Sequence, residues 1–189
     1  MSFPLVQFLQ IVYWLALATW FGGVVFIAVS APIILRTVRE SDPTLPTVLS
    51  VNMEGQHGTL LGGMIVSNLV TMLLRVELVC AAVLAATIAA QWAYHVQDWP
   101  AAFIRTACYL GAVVLAVYDW RVVWPRITKA REQYIEHADE PEIANPARDQ
   151  FNRSQRESML LLMLVVAALL GVIVFSATIS PARLLINLR

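Results

Sequence analysis

Residues 159–179, MLLLMLVVAALLGVIVFSATI, carry no charged side chain, and the uncharged run extends from Glu157 to Arg183. A bilayer core about 30 Å thick needs ~20 apolar residues of helix to cross it, so this stretch reads as a transmembrane helix. Three other windows share its character. No charge occurs before Arg36, none between Glu77 and Asp98, and the stretch between Arg105 and Asp119 is apolar as well. Four such windows in 189 residues leave no room for a separate soluble domain. The composition agrees: 59% of residues are hydrophobic and 14% charged, where a soluble domain holds about half and about a quarter. The fold class expected is all-α, a four-transmembrane-helix bundle forming one integral membrane domain over residues 1–189.

Working outward from the last window, Pro181 closes the fourth span, expected at about 158–180. The short link between Val96 and Pro100 fixes spans two and three at about 76–95 and 101–122, with Arg105 able to snorkel to an interface. The first span is expected at about 10–35 and to be retained, since no positive n-region precedes its long, aromatic-rich apolar run. Residues 59–74 remain, uncharged and mostly apolar. One helix from there to His95 would reach about 55 Å, longer than a bilayer is thick. A separate interfacial helix with a bend near Arg75 is therefore expected. Thr59, Gly63, Ser67, Thr71 and Arg75 recur every fourth residue. Such a stripe serves either as a close helix-contact face or as the lining of a polar groove. In span one, Ala18 with Gly22 and Thr19 with Gly23 offer small-residue contacts of the same kind.

Residues 123–157 read as a cytoplasmic helical hairpin. Ile127, Arg131, Tyr134, Ile135 and Ala138 keep helical spacing, and Asn145 before Pro146 signals the start of the return helix. Its acidic tip serves either as a solvated end or as a docking surface. Ten of the thirteen basic residues fall in or beside the first and third loops. The positive-inside rule then places both termini outside and the long loops in the cytoplasm, as in a bacterial cytoplasmic membrane. Arg75, Glu77, Asp119 and Arg121 gather at the inner boundary, spaced to pair as interfacial charges.

At these positions the chain resembles a known family. Trp14, Trp20, Gly22, Gly23 and Phe26, followed by Ala31, Pro32 and Arg36, are similar to the opening of a four-helix membrane family of unknown function that includes eukaryotic TMEM-type proteins. A looser likeness runs to copper-resistance membrane proteins of the CopD type. Residues 124–127 and 151–158 resemble the family's proline after span three and its approach to span four, where Gln155 stands at a position the family often fills with histidine. The resemblance implies the four-helix fold and points toward an efflux accessory.

Chemistry is sparse. His57, His95 and His137 all fall outside the expected spans, so a bis-histidine haem is not expected. Met159 and Met163 share a helix face, but methionines in apolar helices chiefly fill space. Cys80 and Cys108 read as small packing residues. No catalytic set, no cofactor and no metal site is expected, and a net charge of zero argues against nucleic acid. The function expected is a non-catalytic membrane subunit or assembly factor. Its partners would be the lipid bilayer and other membrane subunits or a second copy. The alternative is a small transporter or efflux accessory for a metal or organic solute. The span centres look apolar, so a dry bundle without a continuous pore is expected.

Overall fold

The structure is a computed structural model, and it describes residues 3–41, 57–94, 96–137 and 140–177. Every regular element among these is helical: α1 (Phe3–Glu40), α2 (His57–Ala93), α3 (Trp99–Tyr118), a π-helical turn (Asp119–Val123), α4 (Trp124–Glu136) and α5 (Pro141–Ser176). Four helical rods are long and apolar enough to cross a membrane, with α3, the π turn and α4 forming one of them. This is an integral membrane protein. α1 packs mainly on α2, α5 packs on α3 and α4, and α1 meets α5 to join the two halves.

Packing follows one rule on all four rods. Ala16 apart, the buried positions of α1 are Tyr13, Leu17, Trp20, Val24, Ile27 and Ala31, stepping alternately by four and three residues. The rod begun by α3 repeats the rhythm through Ala102, Arg105, Tyr109, Ala112, Ala116, Asp119 and Val123. That 3.5-residue period is the seam of knobs-into-holes packing. Hydrophobicity alone cannot mark the seam in a membrane chain, because the outward faces are apolar too. Phe26, Val29, Val79 and Leu160 are all exposed on this bundle. Close approach marks it better. A Cβ on Gly171 would stand 2.8 Å from Cys108 Sγ, so α3 and α5 touch where α5 has no side chain.

Three expectations are corrected. The separate interfacial helix at about 59–74, with its bend near Arg75, is absent: α2 runs unbroken for 37 residues. Nothing in that segment removes a backbone donor, and Gly62 lies against Leu35 and Val38 of α1, which itself continues to Glu40. The two helices support each other beyond the length of a single crossing. The return helix of the hairpin begins at Pro141 instead of Pro146, which sits inside α5. A proline suits the first turn, where the missing N–H would bond to nothing. Arg105 does not snorkel. It is 1% exposed, and its Nη1 donates to Gln91 Oε1 at 2.6 Å. The seam spacing turns it inward, and α2 supplies the acceptor. The expectations for His95, Ala138 and the end of span four at 178–180 lie outside the described residues.

Candidate functional site: a cavity with two buried carboxylates

The π-helical turn has a local cause. Pro125 carries no N–H, so the carbonyl of Arg121 loses its ordinary helical donor, and the proline ring crowds it. The backbone widens instead, and the Trp124 N–H bonds back to the Asp119 carbonyl, five residues away. π turns are rare and gather at functional sites. Here the turn starts at Asp119, which faces a cavity of about 440 Å³.

All four rods contribute walls. α1 and α2 supply an apolar side, including Ile27, Leu35, Val66 and Leu73. α5 supplies a polar side through Asn152, Gln155, Arg156 and Ser158. Glu77 from α2 and Asp119 from the π turn reach in from opposite helices. They are 3% and 6% exposed, so both carboxylates are withdrawn from solvent. Asp119 Oδ2 accepts from Ser158 Oγ at 3.1 Å, whereas Oδ1 is buried with no partner among the described residues. Glu77 lies against Trp20, whose indole nitrogen stays outside full hydrogen-bond geometry.

The nearby cations are engaged elsewhere. Arg121 lies over the Trp120 ring, 4.6 Å from its centroid. Arg126 pairs with Glu157 at 3.8 Å, and Glu157 also accepts from Tyr118. Arg75 is exposed on α2. Arg156 lines the cavity but is itself exposed. Of the four expected interfacial charges, then, the two acids turn inward, the two arginines turn outward, and no ion pair joins them among the described residues. Two buried carboxyl groups facing one cavity constitute a place where a cation lowers the electrostatic cost of their ionised forms.

The expected helix-packing residues separate in the same way. Gly63 and Ser67 line the cavity. Thr71 donates its hydroxyl to the Ser67 carbonyl, and the side chain of Thr59 lies outside the described residues. Gly23 sits against Leu73, with an added Cβ at 2.8 Å. Ala18, Thr19 and Gly22 are exposed, and a Cβ on Gly22 would meet nothing within 4 Å.

Two features were missed in the sequence. One is the inward register of Glu77 and Asp119, and the other is the burial of Gln91 and Arg105. Judging charges by depth along each span ignores which face they occupy. Extending the three-four rhythm from Tyr109, Ala112 and Ala116 would have put Arg105 and Asp119 on the seam. Among the described residues no group of three or more His, Cys, Asp or Glu could hold a metal ion. Met159 lines the cavity, while Met64, Met72 and Met163 are exposed. Compared with protein families, curated proteins and solved structures, the chain gives no match.

Proposed function

We propose that this membrane protein binds a small organic cation with an apolar body and serves as a small transporter or efflux accessory for such solutes. One observation carries the reading: Glu77 and Asp119 are buried on different helices, face one cavity, and have no basic partner among the described residues. The cavity suits such a ligand. Ligand pockets are typically some 300–1,000 Å³, mostly apolar, with a few placed polar groups, and the α1–α2 wall supplies the apolar part. The test is binding of tetraphenylphosphonium to the purified protein by equilibrium dialysis. Glu77→Gln and Asp119→Asn should each weaken it roughly tenfold, which corresponds to about 1.4 kcal/mol. Binding that is absent, or equal in both variants when they unfold at wild-type temperature, overturns the reading.

The basic residues of the first and third loops support a placement in a bacterial cytoplasmic membrane with the termini outside and the carboxylate cavity toward the cytoplasm. A second reading, a non-catalytic subunit of a larger complex or of a homo-oligomer, draws on the Ala18–Gly22 face. It is exposed and open, as a helix awaiting a closely packed neighbour would be. Copurification of a fixed partner in mild detergent, lost in Gly22→Leu, tests it.

A further inference from the structure

A second polar site lies at the other end of the bundle, where α2 ends, α3 begins and α1 starts. Arg105 is 1% exposed. Arginine keeps its charge in proteins, so this is a fixed positive charge taken out of water. The described residues offer it no carboxylate. Its Nη1 bonds the neutral Gln91 Oε1 at 2.6 Å, and its guanidinium carbon sits 5.8 Å from the centroid of the Tyr13 ring. The ring relieves part of the burial cost, but neither contact neutralises the charge. A buried charge without a counter-charge is strongly destabilising.

The hydrogen-bond inventory points the same way. Arg105 Nε and Gln91 Nε2 are both buried without hydrogen-bond partners among the described residues. Both are donors. Beside them is a cavity of about 90 Å³, lined by Gln91, Trp92, Ala102 and Arg105 and rimmed by Trp99. The Trp92 indole donates to Thr106 Oγ1. Gln97, also in the lining, donates through Nε2 to the Phe175 carbonyl and brings one acceptor, its Oε1, beside the two donors, which leaves the charge of Arg105 as the feature that favours an anion. Trp99 and Ala102 belong to the first turn of α3, so the positive end of that helix dipole opens on the same space. Among the described residues no acid lines the cavity. A water could accept from both orphan donors, but it would bring no charge.

The geometry points to an anion site: Arg105 and Gln91 hold one small monovalent anion, a halide-sized ion or a single phosphate oxygen of a lipid headgroup, in the cavity under Trp99. This site is separate from the carboxylate cavity and does not depend on the function proposed for it. Bromide distinguishes the cases because it quenches tryptophan, and Trp92 and Trp99 border the cavity. In delipidated protein at constant ionic strength, bromide replacing gluconate should quench part of the fluorescence along a saturable curve. Arg105→Lys should keep that curve. Arg105→Gln should weaken it about tenfold or leave only the linear, collisional component. Repeating the titration in nanodiscs with and without phosphatidylglycerol separates the sources. Competition by the lipid assigns the site to a headgroup, and its absence assigns it to a free ion. Should Arg105→Gln fail to fold, crystals of the wild-type protein grown in bromide give the decision. An anomalous peak beside Arg105 Nε and Gln91 Nε2 supports the site. A cavity without one, or quenching that is linear and equal in wild type and folded Arg105→Gln, overturns it.

Discussion

Gly22 and Gly23 adjoin in the chain and differ in what a side chain would meet. Gly22 faces open space, while a Cβ on Gly23 would come 2.8 Å from Leu73 Cδ1. Gly23→Leu should therefore destabilise the isolated bundle by roughly 1–3 kcal/mol, the usual cost of overpacking. Gly22→Leu should leave it within about 0.5 kcal/mol of wild type. Thermal unfolding in detergent measures both, and equal losses would mean that α1 and α2 do not approach as described. Gly171 provides a control at the α3–α5 contact. Gly171→Ala should be destabilising alone and largely rescued by Cys108→Ala, because the clash is with that one sulfur. At this scale the sequence was readable for composition and poorly readable for direction. That Gly23 and Gly171 let helices approach is visible in residue type. That Gly22 does not do so within the chain depends on which face the partner helix takes, and a span apolar all round does not mark that face.

Among the elements, the rod from Trp99 to Glu136 is the most instructive. Pro125 sets the π turn, and the π turn presents Asp119 to the cavity. Pro125→Ala restores a donor for the Arg121 carbonyl. The segment should rewind toward an α-helix, raising the thermal midpoint, while tetraphenylphosphonium binding weakens as Asp119 turns away from Ser158. A variant that gains stability and keeps full binding would detach the turn from the site. The long rods also explain where a length argument fails. A bilayer limits how much of a helix is submerged, not how far the helix runs. α2 continues through the segment expected to be interfacial because α1 continues beside it, with Gly62 against Leu35 and Val38. Neither fact is visible within a single apolar window. The four spans themselves were legible, because charge-free runs long enough for a bilayer have few other uses.

Across the whole molecule, among the described residues, most of the buried polar groups gather at two levels, with Thr87 and Ser154 outside them. Glu77, Asp119 and Ser158 occupy one, and Arg105, Gln91, Tyr13 and Ser176 the other, where the Tyr13 hydroxyl meets that of Ser176. Between them the seam is filled by Leu17, Leu84, Ala112, Leu169 and Val172, every one buried. Topology is tested at this scale. Single cysteines at Asp98 and Glu136, in a background without Cys80 and Cys108, should react differently with a membrane-impermeant maleimide on intact cells. Asp98 should label and Glu136 should require permeabilisation. The reverse pattern would invert the orientation and assign the carboxylate cavity to the outer face.

The filled seam has an electrical meaning. A closely packed layer of mostly apolar side chains is weakly polarisable, so a membrane potential is expected to drop largely across it. Carrying one elementary charge through the potential involves about 2.3 kcal/mol per 100 mV, and the dielectric barrier adds to that. A seam packed in this way is expected to insulate, with polar groups at either end. In planar bilayers it should pass no steady current. Replacing Leu84 or Leu169 with serine should admit water into the layer and produce a measurable leak, whereas the same exchange at outward-facing Leu110 or Leu160 should not.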